Sequence, residues 1–383
     1  MGITLHWFLP TSGDSRNVVP GSGGHGRPAT IEYLAQIARA ADDLGFDAVL
    51  TPTGTTCEDA WLVTSALSQQ TTRLRFLVAF RPGITNPTLA AQQAATFQRI
   101  THGRLLINIV TGGDAWEQRR FGDWLSHDER YARTDEFLKI LRGAWSGEPF
   151  DFEGWHYRIR GATTLAPPDP IPEVFFGGAS STAEDVAARN VDVYLLWGEP
   201  PAMARERMER VRDKAASQGR TIRFGIRLHV ITRDTEREAW AEANRLLDTM
   251  DPALVDAAQQ LLNKSESVGQ QRMLSLHHGR REDLEVSPNL WAGIGLVRPG
   301  AGTALVGSHE QVAQRIFEYH DLGLDEFILS GHPHLEEAYA VGEGVLPKVR
   351  RDADGHAATE RTSEMREEEH GPLSRHQLAR YPR

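Results

Sequence analysis

The repeated alternation of short apolar segments with amphipathic helical segments is the feature that most constrains this fold. Eight apolar segments rich in β-forming residues occur along the chain, and several are continuous apolar runs, which is typical of strands buried on both faces. A segment with apolar residues at helical spacing follows nearly every one. The predicted strands are residues 3–9, 47–51, 74–80, 105–110, 173–176, 193–197, 222–232 and 326–330.

Eight strand–helix units predict an α/β fold, the TIM (β/α)8 barrel, whose active site lies at the C-terminal ends of the strands. A doubly wound open sheet is the alternative, although no strand–GxGxxG–helix fingerprint opens any unit. The predicted helices are residues 31–44, 58–68, 87–100, 129–146, 181–189, 201–218, 235–249, 309–322 and 335–347.

Three segments interrupt the repeat. Residues 111–128 are predicted to form a polar loop, and residues 147–172, with five prolines, a hairpin or an extended excursion. Residues 251–308 contain a polar helical stretch and then a Gly-rich stretch, which indicates a lid or an extra subdomain. We therefore predict one barrel domain over residues 1–349, with an insertion and mobile lid at 251–308. The polar tail, 350–383, is expected to be disordered.

Composition excludes several classes of function. The formal net charge of −10 argues against a nucleic-acid or anionic-membrane partner, since such partners favour a basic face. No apolar run is long enough to span a membrane, and the N-terminus lacks a signal-peptide pattern. The single cysteine, Cys57, excludes an intramolecular disulfide and a Cys-rich metal site. It fits a reducing compartment, so we expect a cytoplasmic protein.

The seventh predicted strand carries charge on one face. Side chains alternate along a strand, so Phe224, Ile226 and Leu228 share the face that suits the surrounding helices. Arg227 and His229 would then point into the barrel near the strand's C-terminal end. An inward arginine is costly unless an anion meets it. That anion is either a carboxylate from a neighbouring strand or a bound ligand.

Other candidate residues have two explanations each. Trp197 ends a strand and is either a pocket wall or core. Ser180 and Ser181 follow a Gly-Gly pair and precede a helix, which suits a phosphate cradle or a simple helix cap. Thr111, after the fourth strand, is similarly ambiguous. Cys57 precedes a helix and is either a reactive thiol or a buried one.

His332 and His334 are spaced so that they could ligate a metal. The carboxylates that would complete such a site have no recognisable spacing relative to them. We therefore expect no metal.

A series of sequence blocks, in the same order along most of the chain, points to a known family. From about Trp7 to Leu346, the sequence closely resembles the FMNH2-dependent alkanesulfonate monooxygenases, within the bacterial-luciferase-like flavin family. The blocks are Trp7-Phe8-Leu9-Pro10-Thr11, Pro52-Thr53-Gly54, Cys57-Glu58-Asp59-Ala60-Trp61, Val110-Thr111-Gly112, Phe176-Gly177-Gly178, Trp197-Gly198-Glu199-Pro200, residues 224–230, residues 288–293, Leu296-Val297-Arg298, residues 300–307 and residues 333–339.

The resemblance implies a homo-oligomeric TIM barrel, commonly a tetramer. It implies that a separate NAD(P)H-dependent flavin reductase supplies reduced FMN, and that O2 and an alkanesulfonate yield an aldehyde and sulfite. Its active-site residues fall here on Arg227, His229, Arg298, Trp197, Cys57, His332 and His334. Its flavin-binding residues fall on Asn108, Thr111, His127, Tyr131, Ser180 and Ser181.

Physical chemistry supports several of these implied roles. A guanidinium suits the permanent anion of a sulfonate. Arg298 resembles the family's lid arginine and would close over that anion. His229 or Arg227 could move the proton that the carbon next to sulfur must lose.

The sequence departs from the family pattern at Ser12, where His is usual, and at His332, where Tyr is usual. Two alternatives therefore stay open. One is a flavin or F420 oxidoreductase on the same scaffold that acts on another small organosulfur or anionic substrate. The other is a non-catalytic flavin-binding homologue.

Overall fold

The fold is built on eight parallel strands that close into a ring. The structure, a computed structural model, describes residues 2–19 and 26–351. In that part of the chain the strands are β1 (Thr4–Phe8), β2 (Ala48–Thr51), β3 (Arg75–Phe80), β4 (Leu105–Ile109), β5 (Phe150–Glu153), β6 (Arg158–Ala162), β7 (Val174–Gly177), β8 (Val193–Trp197), β9 (Arg223–Arg233), β10 (Glu285–Ser287), β11 (Leu290–Trp291), β12 (Ala304–Ser308) and β13 (Glu326–Ser330).

The ring runs β1-β2-β3-β4-β7-β8-β9-β13, and β13 pairs with β1 to close it. The protein is therefore an α/β TIM barrel with extra strands outside the ring. The eight predicted strands are confirmed as the eight barrel strands, and the open-sheet alternative is wrong.

Twelve α-helices accompany the strands in the described part of the chain. They are α1 (Ile31–Leu44), α2 (Ala60–Leu67), α3 (Pro87–Thr101), α4 (Ala115–Arg120), α5 (His127–Ala144), α6 (Ser181–Asn190), α7 (Pro201–Ser217), α8 (Glu236–Asp248), α9 (Pro252–Leu262), α10 (Val268–His277), α11 (His309–Asp321) and α12 (His334–Gly344). Side-chain caps explain several starts: Thr30 accepts a hydrogen bond from the Tyr33 amide, and Asn86 from the Thr88 amide. None of these helices is long and apolar enough to cross a bilayer.

Two apolar layers hold the barrel together. The outer layer packs strand residues such as Phe224, Ile226 and Leu228 against the helices, which confirms the predicted outward face of β9. The inner layer fills the barrel with residues that include Leu77 and Phe175. This inner layer forms an apolar floor beneath the C-terminal mouth of the barrel.

Three segments differ from or refine the prediction. The predicted loop 111–128 contains the short helix α4, and the proline-rich excursion contains the β5–β6 hairpin. The insertion 251–308 contains α9, α10 and three strands, of which β12 pairs in parallel with β9. The Gly-rich stretch therefore ends in a buried strand of the main sheet and is not lid throughout. The structure does not test whether the lid moves or where the domain boundaries lie, so both stay predictions.

The predicted disordered tail is only partly covered by the structure. Arg350 and Arg351 belong to the described residues, and Arg350 donates a hydrogen bond to the Gly45 carbonyl. Residues 352–383 lie outside the described part of the chain.

We predict that Gly225→Ala destabilises the barrel. A Cβ at Gly225 would lie 2.8 Å from the Cβ and carbonyl oxygen of Glu326 and from Leu195 Cδ2. Overpacking of this kind lowers the free energy of unfolding by about 1–3 kcal/mol. Chemical denaturation should show it as a lower midpoint. Gly26→Ala is the control, since its nearest neighbour would lie 3.8 Å away. Equal midpoints for the two variants would contradict the prediction.

Candidate active site

The inward face of β9 and the end of β13 form one hydrogen-bonded network at the barrel mouth. Arg227 Nη1 donates to Ser330 Oγ at 2.8 Å and to the Leu228 carbonyl at 2.9 Å. Ser330 Oγ lies 2.8 Å from His229 Nδ1, and His229 Nε2 lies 3.1 Å from the Ala301 carbonyl oxygen. Arg227 and His229 therefore point inward as the alternation predicts, and Ser330 joins them.

The loop after β13 adds two histidines, and the insertion adds an arginine. His332 stacks on His229 with ring centroids 5.5 Å apart, and His334 meets His332 edge-on at 5.2 Å. Arg298 Nη1 lies 3.4 Å from His332 Nε2. Five residues assigned from the sequence thus come together at one end of the barrel.

Arg227 and Arg298 are partly buried guanidiniums without a carboxylate partner among the residues that the structure describes. Arg227 instead lies over the Phe8 ring, 4.4 Å from its centroid. Burial lowers the pKa of both arginines, yet each begins above about 12 and stays charged at neutral pH. The alternative that a carboxylate from a neighbouring strand pairs with Arg227 is therefore wrong for the described residues, and an anionic ligand at Arg227 stays a prediction.

The histidines of this cluster are held in the neutral form. Burial, followed by the charge of Arg227, lowers the pKa of His229 well below its usual value. Burial and the charge of Arg298 do the same for His332. At neutral pH the two arginines therefore supply the positive charge of the mouth, and these two imidazoles supply neutral hydrogen-bonding groups.

Asp14 is a buried carboxylate that the sequence analysis did not select. Its Oδ1 accepts from the Ser15 amide at 2.9 Å and lies 2.9 Å from His334 Nδ1. Its Oδ2 accepts from the Tyr33 hydroxyl at 2.6 Å and from the His334 amide at 2.8 Å. Burial alone would raise the pKa of Asp14, but the hydrogen bonds from His334 and Tyr33 lower it to about 2. Asp14 is therefore anionic throughout the physiological range.

The ligating atoms of Asp14, His332 and His334 lie within 4.8 Å of one another. The surrounding charges oppose a cation there, because Arg298 lies against His332 and Arg227 is close by. Both oxygens of Asp14 also already accept two hydrogen bonds each. The cluster is better suited to an anion than to a cation, and we still expect no metal there.

Cys57 lies at the same mouth beside an ion pair from β3 and α4. The thiol is half-buried, and burial raises its pKa; Glu117 raises it further, whereas Arg81 and Arg298 lower it. Glu117 Oε2 pairs with Arg81, and its Oε1 accepts from the Thr55 amide at 2.9 Å. Cys57 is therefore a protonated thiol at neutral pH. Arg81, directly after β3, was missed because a lone Arg after a strand gives no motif.

Trp197 lies beneath the insertion. A Cβ at Gly269, in the first turn of α10, would lie 3.1 Å from Trp197 Cζ3. The next residue, Gln270, accepts a hydrogen bond from the Gly300 amide at 3.0 Å, two positions after Arg298. Trp197 is therefore a wall between the barrel mouth and α10, and α10 supports the segment that carries Arg298.

Ser180, Tyr131 and Gly178 form a small polar cradle at the start of α6. Ser180 Oγ caps α6 by accepting from the Ala183 amide at 3.2 Å, and it also interacts with the Tyr131 hydroxyl. A Cβ at Gly178 would lie 2.6 Å from Ala183 Cβ and 3.0 Å from the Tyr131 hydroxyl, so only glycine fits. Free amides of a helix start and two hydroxyls are what a phosphate monoester needs.

The other predicted flavin residues lie at the C-terminal end of β4 and at the starts of α5 and α6. His127 packs on Tyr131 with ring centroids 4.8 Å apart, and Ser181 Oγ lies 3.3 Å from Lys214 Nζ. Thr111 Oγ1 lies 3.2 Å from Thr134 Oγ1, and Asn108 lies on β4. Beside His127 a cavity of about 630 Å³ separates the α4–α5 region from the insertion.

Comparison with known proteins assigns the family. A sequence model of the luciferase-like monooxygenase family matches residues 3–326. The chain belongs to this family. Luciferase-like monooxygenases are oxidoreductases, so the site described above belongs to an enzyme family.

Solved structures share the fold of this luciferase-like monooxygenase. A riboflavin lyase solved with modified FMN and riboflavin has a TM-score of 0.78 at 20% identity, with 92% of each chain covered. The EDTA monooxygenase of Chelativorans sp. BNC1 has a TM-score of 0.73 at 20% identity, covering 92% of this chain and 94% of that one. The F420-dependent tetrahydromethanopterin reductase of Methanopyrus kandleri has a TM-score of 0.67 at 14% identity, covering 91% and 100%.

We predict that Glu117→Gln lowers the pKa of the Cys57 thiol. The variant removes a negative charge that raises this pKa and leaves Arg81, which lowers it. The thiolate is the reactive form, so alkylation by iodoacetamide at pH 8 should become about three- to tenfold faster. The pH profile of the rate should shift to lower pH. Glu58→Gln, an exposed change beside Cys57, is the matched control. A profile that shifts upward or stays unchanged in Glu117→Gln would refute the assignment.

Proposed function

We propose that this luciferase-like monooxygenase uses reduced FMN and O2 to desulfonate aliphatic sulfonates to an aldehyde and sulfite. The observation that carries the proposal is the pair of guanidiniums at the barrel mouth. Neither Arg227 nor Arg298 has a carboxylate partner in the described residues, so the site has two positive charges to offer a ligand. A sulfonate is anionic at every physiological pH and presents three oxygens to such donors.

The apolar interior supports an aliphatic substrate. Below the two arginines, Phe8 packs against the inner core layer that includes Leu50, Leu77 and Leu195. An alkyl chain would find hydrocarbon there while its sulfonate meets the guanidiniums.

The cradle at Ser180 fits the phosphate of FMN. Ser180, Tyr131 and the first amides of α6 would hold the phosphate, with Ser181 and His127 at its edge. Lys214 is already paired with Glu184 and Asp185, so we do not assign it to the phosphate. Asn108 and Thr111, at the C-terminal end of β4, would contact the flavin ring system. When bound, reduced FMN would supply the two electrons that activate O2.

The chain's own residues have separable roles in this reaction. Arg227 and Arg298 bind and orient the sulfonate, and they stabilise the negative charge that accumulates as sulfite leaves. Trp197 and α10 cover the mouth and exclude water. Cys57, as a neutral thiol, donates a hydrogen bond at the reaction centre. A separate NAD(P)H-dependent reductase would deliver reduced FMN, and we propose a homo-oligomer, commonly a tetramer in this family, in the cytoplasm.

We predict O2-dependent release of sulfite from some members of a C1–C10 alkanesulfonate series, given FMN, NAD(P)H and an unrelated flavin reductase. Arg298→Ala removes one charged donor to both the bound sulfonate and the leaving sulfite, and it should lower kcat/KM about 10- to 150-fold through a higher KM and a lower kcat. Arg237→Ala, an exposed arginine on α8, is the control and should match the parent.

The negative outcomes of this assay are informative. No sulfite from any sulfonate, with reduced FMN still bound, would refute the proposed substrate class. It would favour another anionic substrate or a non-catalytic flavin-binding protein. Turnover with reduced F420 in place of FMN would favour the F420 alternative.

We predict that Gly178→Ala weakens FMN binding but not riboflavin binding. The new Cβ would displace Tyr131 and the start of α6 from the phosphate position. Riboflavin has no phosphate and serves as the internal control on the same variant. Fluorescence titration should show the FMN affinity falling about tenfold or more, as for loss of hydrogen bonds to a charged group. An equal loss for both flavins would place the phosphate elsewhere.

A further inference from the structure

The hydrogen bonds of His229 leave it no nitrogen for proton transfer. Its Nε2 faces the Ala301 carbonyl, which can only accept, so Nε2 carries the proton. Its Nδ1 faces Ser330 Oγ, which already accepts from Arg227 and therefore donates its own proton to Nδ1. A residue other than His229 must therefore accept the proton, a role that was expected for His229.

His332 is similarly constrained on one side. Arg298 Nη1, 3.4 Å from His332 Nε2, can only donate, so this nitrogen faces a permanent cation. A proton added to His332 Nε2 would meet that charge directly. His332 is therefore a poor proton acceptor in this arrangement.

His334 differs from both neighbours because a carboxylate fixes it. Asp14 is anionic and accepts from Nδ1 and from the backbone amide of the same residue. The Trp7 indole donates to the His334 carbonyl at 3.1 Å, so ring and backbone are held from two sides. Because Nδ1 carries the proton, Nε2 holds a lone pair directed away from Asp14. No residue in the described part of the chain donates a hydrogen bond to that nitrogen.

We propose that Asp14 and His334 form a carboxylate–imidazole pair in which His334 Nε2 accepts the proton lost by the substrate carbon. His334 is the catalytic base, and Asp14 is the positioning residue that sets its tautomer. The assignment rests on the proposed desulfonation. It adds a residue, Asp14, 320 positions away in the chain, to the reaction.

The proton balance of the reaction defines what the pair must do. An alkanesulfonate, O2 and reduced FMN give an aldehyde, hydrogen sulfite, FMN and water. The carbon next to sulfur loses one proton to His334, and its C–H electron pair forms the carbon–oxygen bond. The O–O bond breaks at the same time, and its electron pair leaves on the second oxygen. An oxygen lone pair then closes the carbonyl, while the C–S pair leaves with sulfite. The second oxygen atom of O2 leaves as water, which takes up the proton that His334 releases.

The charges around His334 favour its neutral form. The groups that face it are Asp14, Arg227, Arg298, His229 and His332, and Tyr33 is bonded to Asp14. Burial lowers the pKa of His334, Asp14 raises it, and the two arginines lower it further, so the net shift is downward. The base is therefore available at neutral pH, and kcat should fall only below about pH 6.5, as protonation removes the lone pair.

The test replaces Asp14 with asparagine. The amide of Asp14→Asn would donate to Nδ1 and move the His334 proton to Nε2, which removes the base. We expect kcat for sulfite release to fall about 10²–10⁴-fold, with KM for the sulfonate within about threefold of the parent. Because the raising effect of Asp14 is lost, the acid limb of any residual activity should move to lower pH.

A second readout does not depend on turnover. Nitrogen-15 spectra of histidine-labelled protein should show His334 as the Nδ1–H tautomer in the parent and as Nε2–H in Asp14→Asn. The signals are assigned by their loss in His334→Gln. Tyr33→Phe is the matched control: it removes one hydrogen bond from Asp14 but keeps the carboxylate on His334. It should keep the parental tautomer.

The outcomes separate this inference from the proposed function. A parent that releases no sulfite refutes the desulfonation, whereas the nitrogen spectra still report on the pair. If the parent is active and kcat is undiminished in Asp14→Asn, the inference is overturned. If Asp14→Asn fails to fold, undiminished kcat in His334→Gln overturns it instead. An Nε2–H tautomer in the parent overturns it as well.

Discussion

Two positive charges without a matching carboxylate dominate the barrel mouth. Taking a guanidinium out of water is unfavourable unless hydrogen bonds and a counter-charge compensate it. Arg227 is only partly compensated, by Ser330, the Leu228 carbonyl and the Phe8 ring. Arg298 has His332 beside it and Asp14 farther away. The proposed sulfonate would supply the missing counter-charge, whereas a cation or a neutral substrate would not.

The barrel could be predicted because its strands have a strong local signal. Strands buried on both faces are near-continuous apolar runs, so all eight were found to within a few residues. β12 was missed because Ala304–Ser308 follows a Gly-rich stretch and has only three apolar residues. Its strand state depends on pairing with β9, which is eleven residues long and extends past the ring. That pairing is a long-range contact and leaves no local pattern.

The site could be predicted only in part, for a related reason. Alternation along β9 was sufficient to orient Arg227 and His229, and the family resemblance supplied Arg298 and the histidines. Asp14 ends the family motif in which Ser12 departs, but it was assigned no role, since an aspartate in a Gly-Asp-Ser turn is most simply a turn residue. Its importance arises from contacts with Tyr33 and with His334, which only the closed barrel brings together.

An ion pair joins the insertion to the barrel, and breaking it would not leave a buried charge unpaired. Glu199, two residues after Trp197, is buried and pairs with two arginines. Arg207, on α7, belongs to the barrel, whereas Arg272 belongs to α10. If α10 moves away, Glu199 keeps Arg207, and the freed Arg272 enters water. Opening therefore avoids the large penalty of an unpaired buried carboxylate. The same movement would withdraw Gln270 from Gly300 and uncover Trp197, so the predicted lid movement would couple access to the mouth with support of the Arg298 segment.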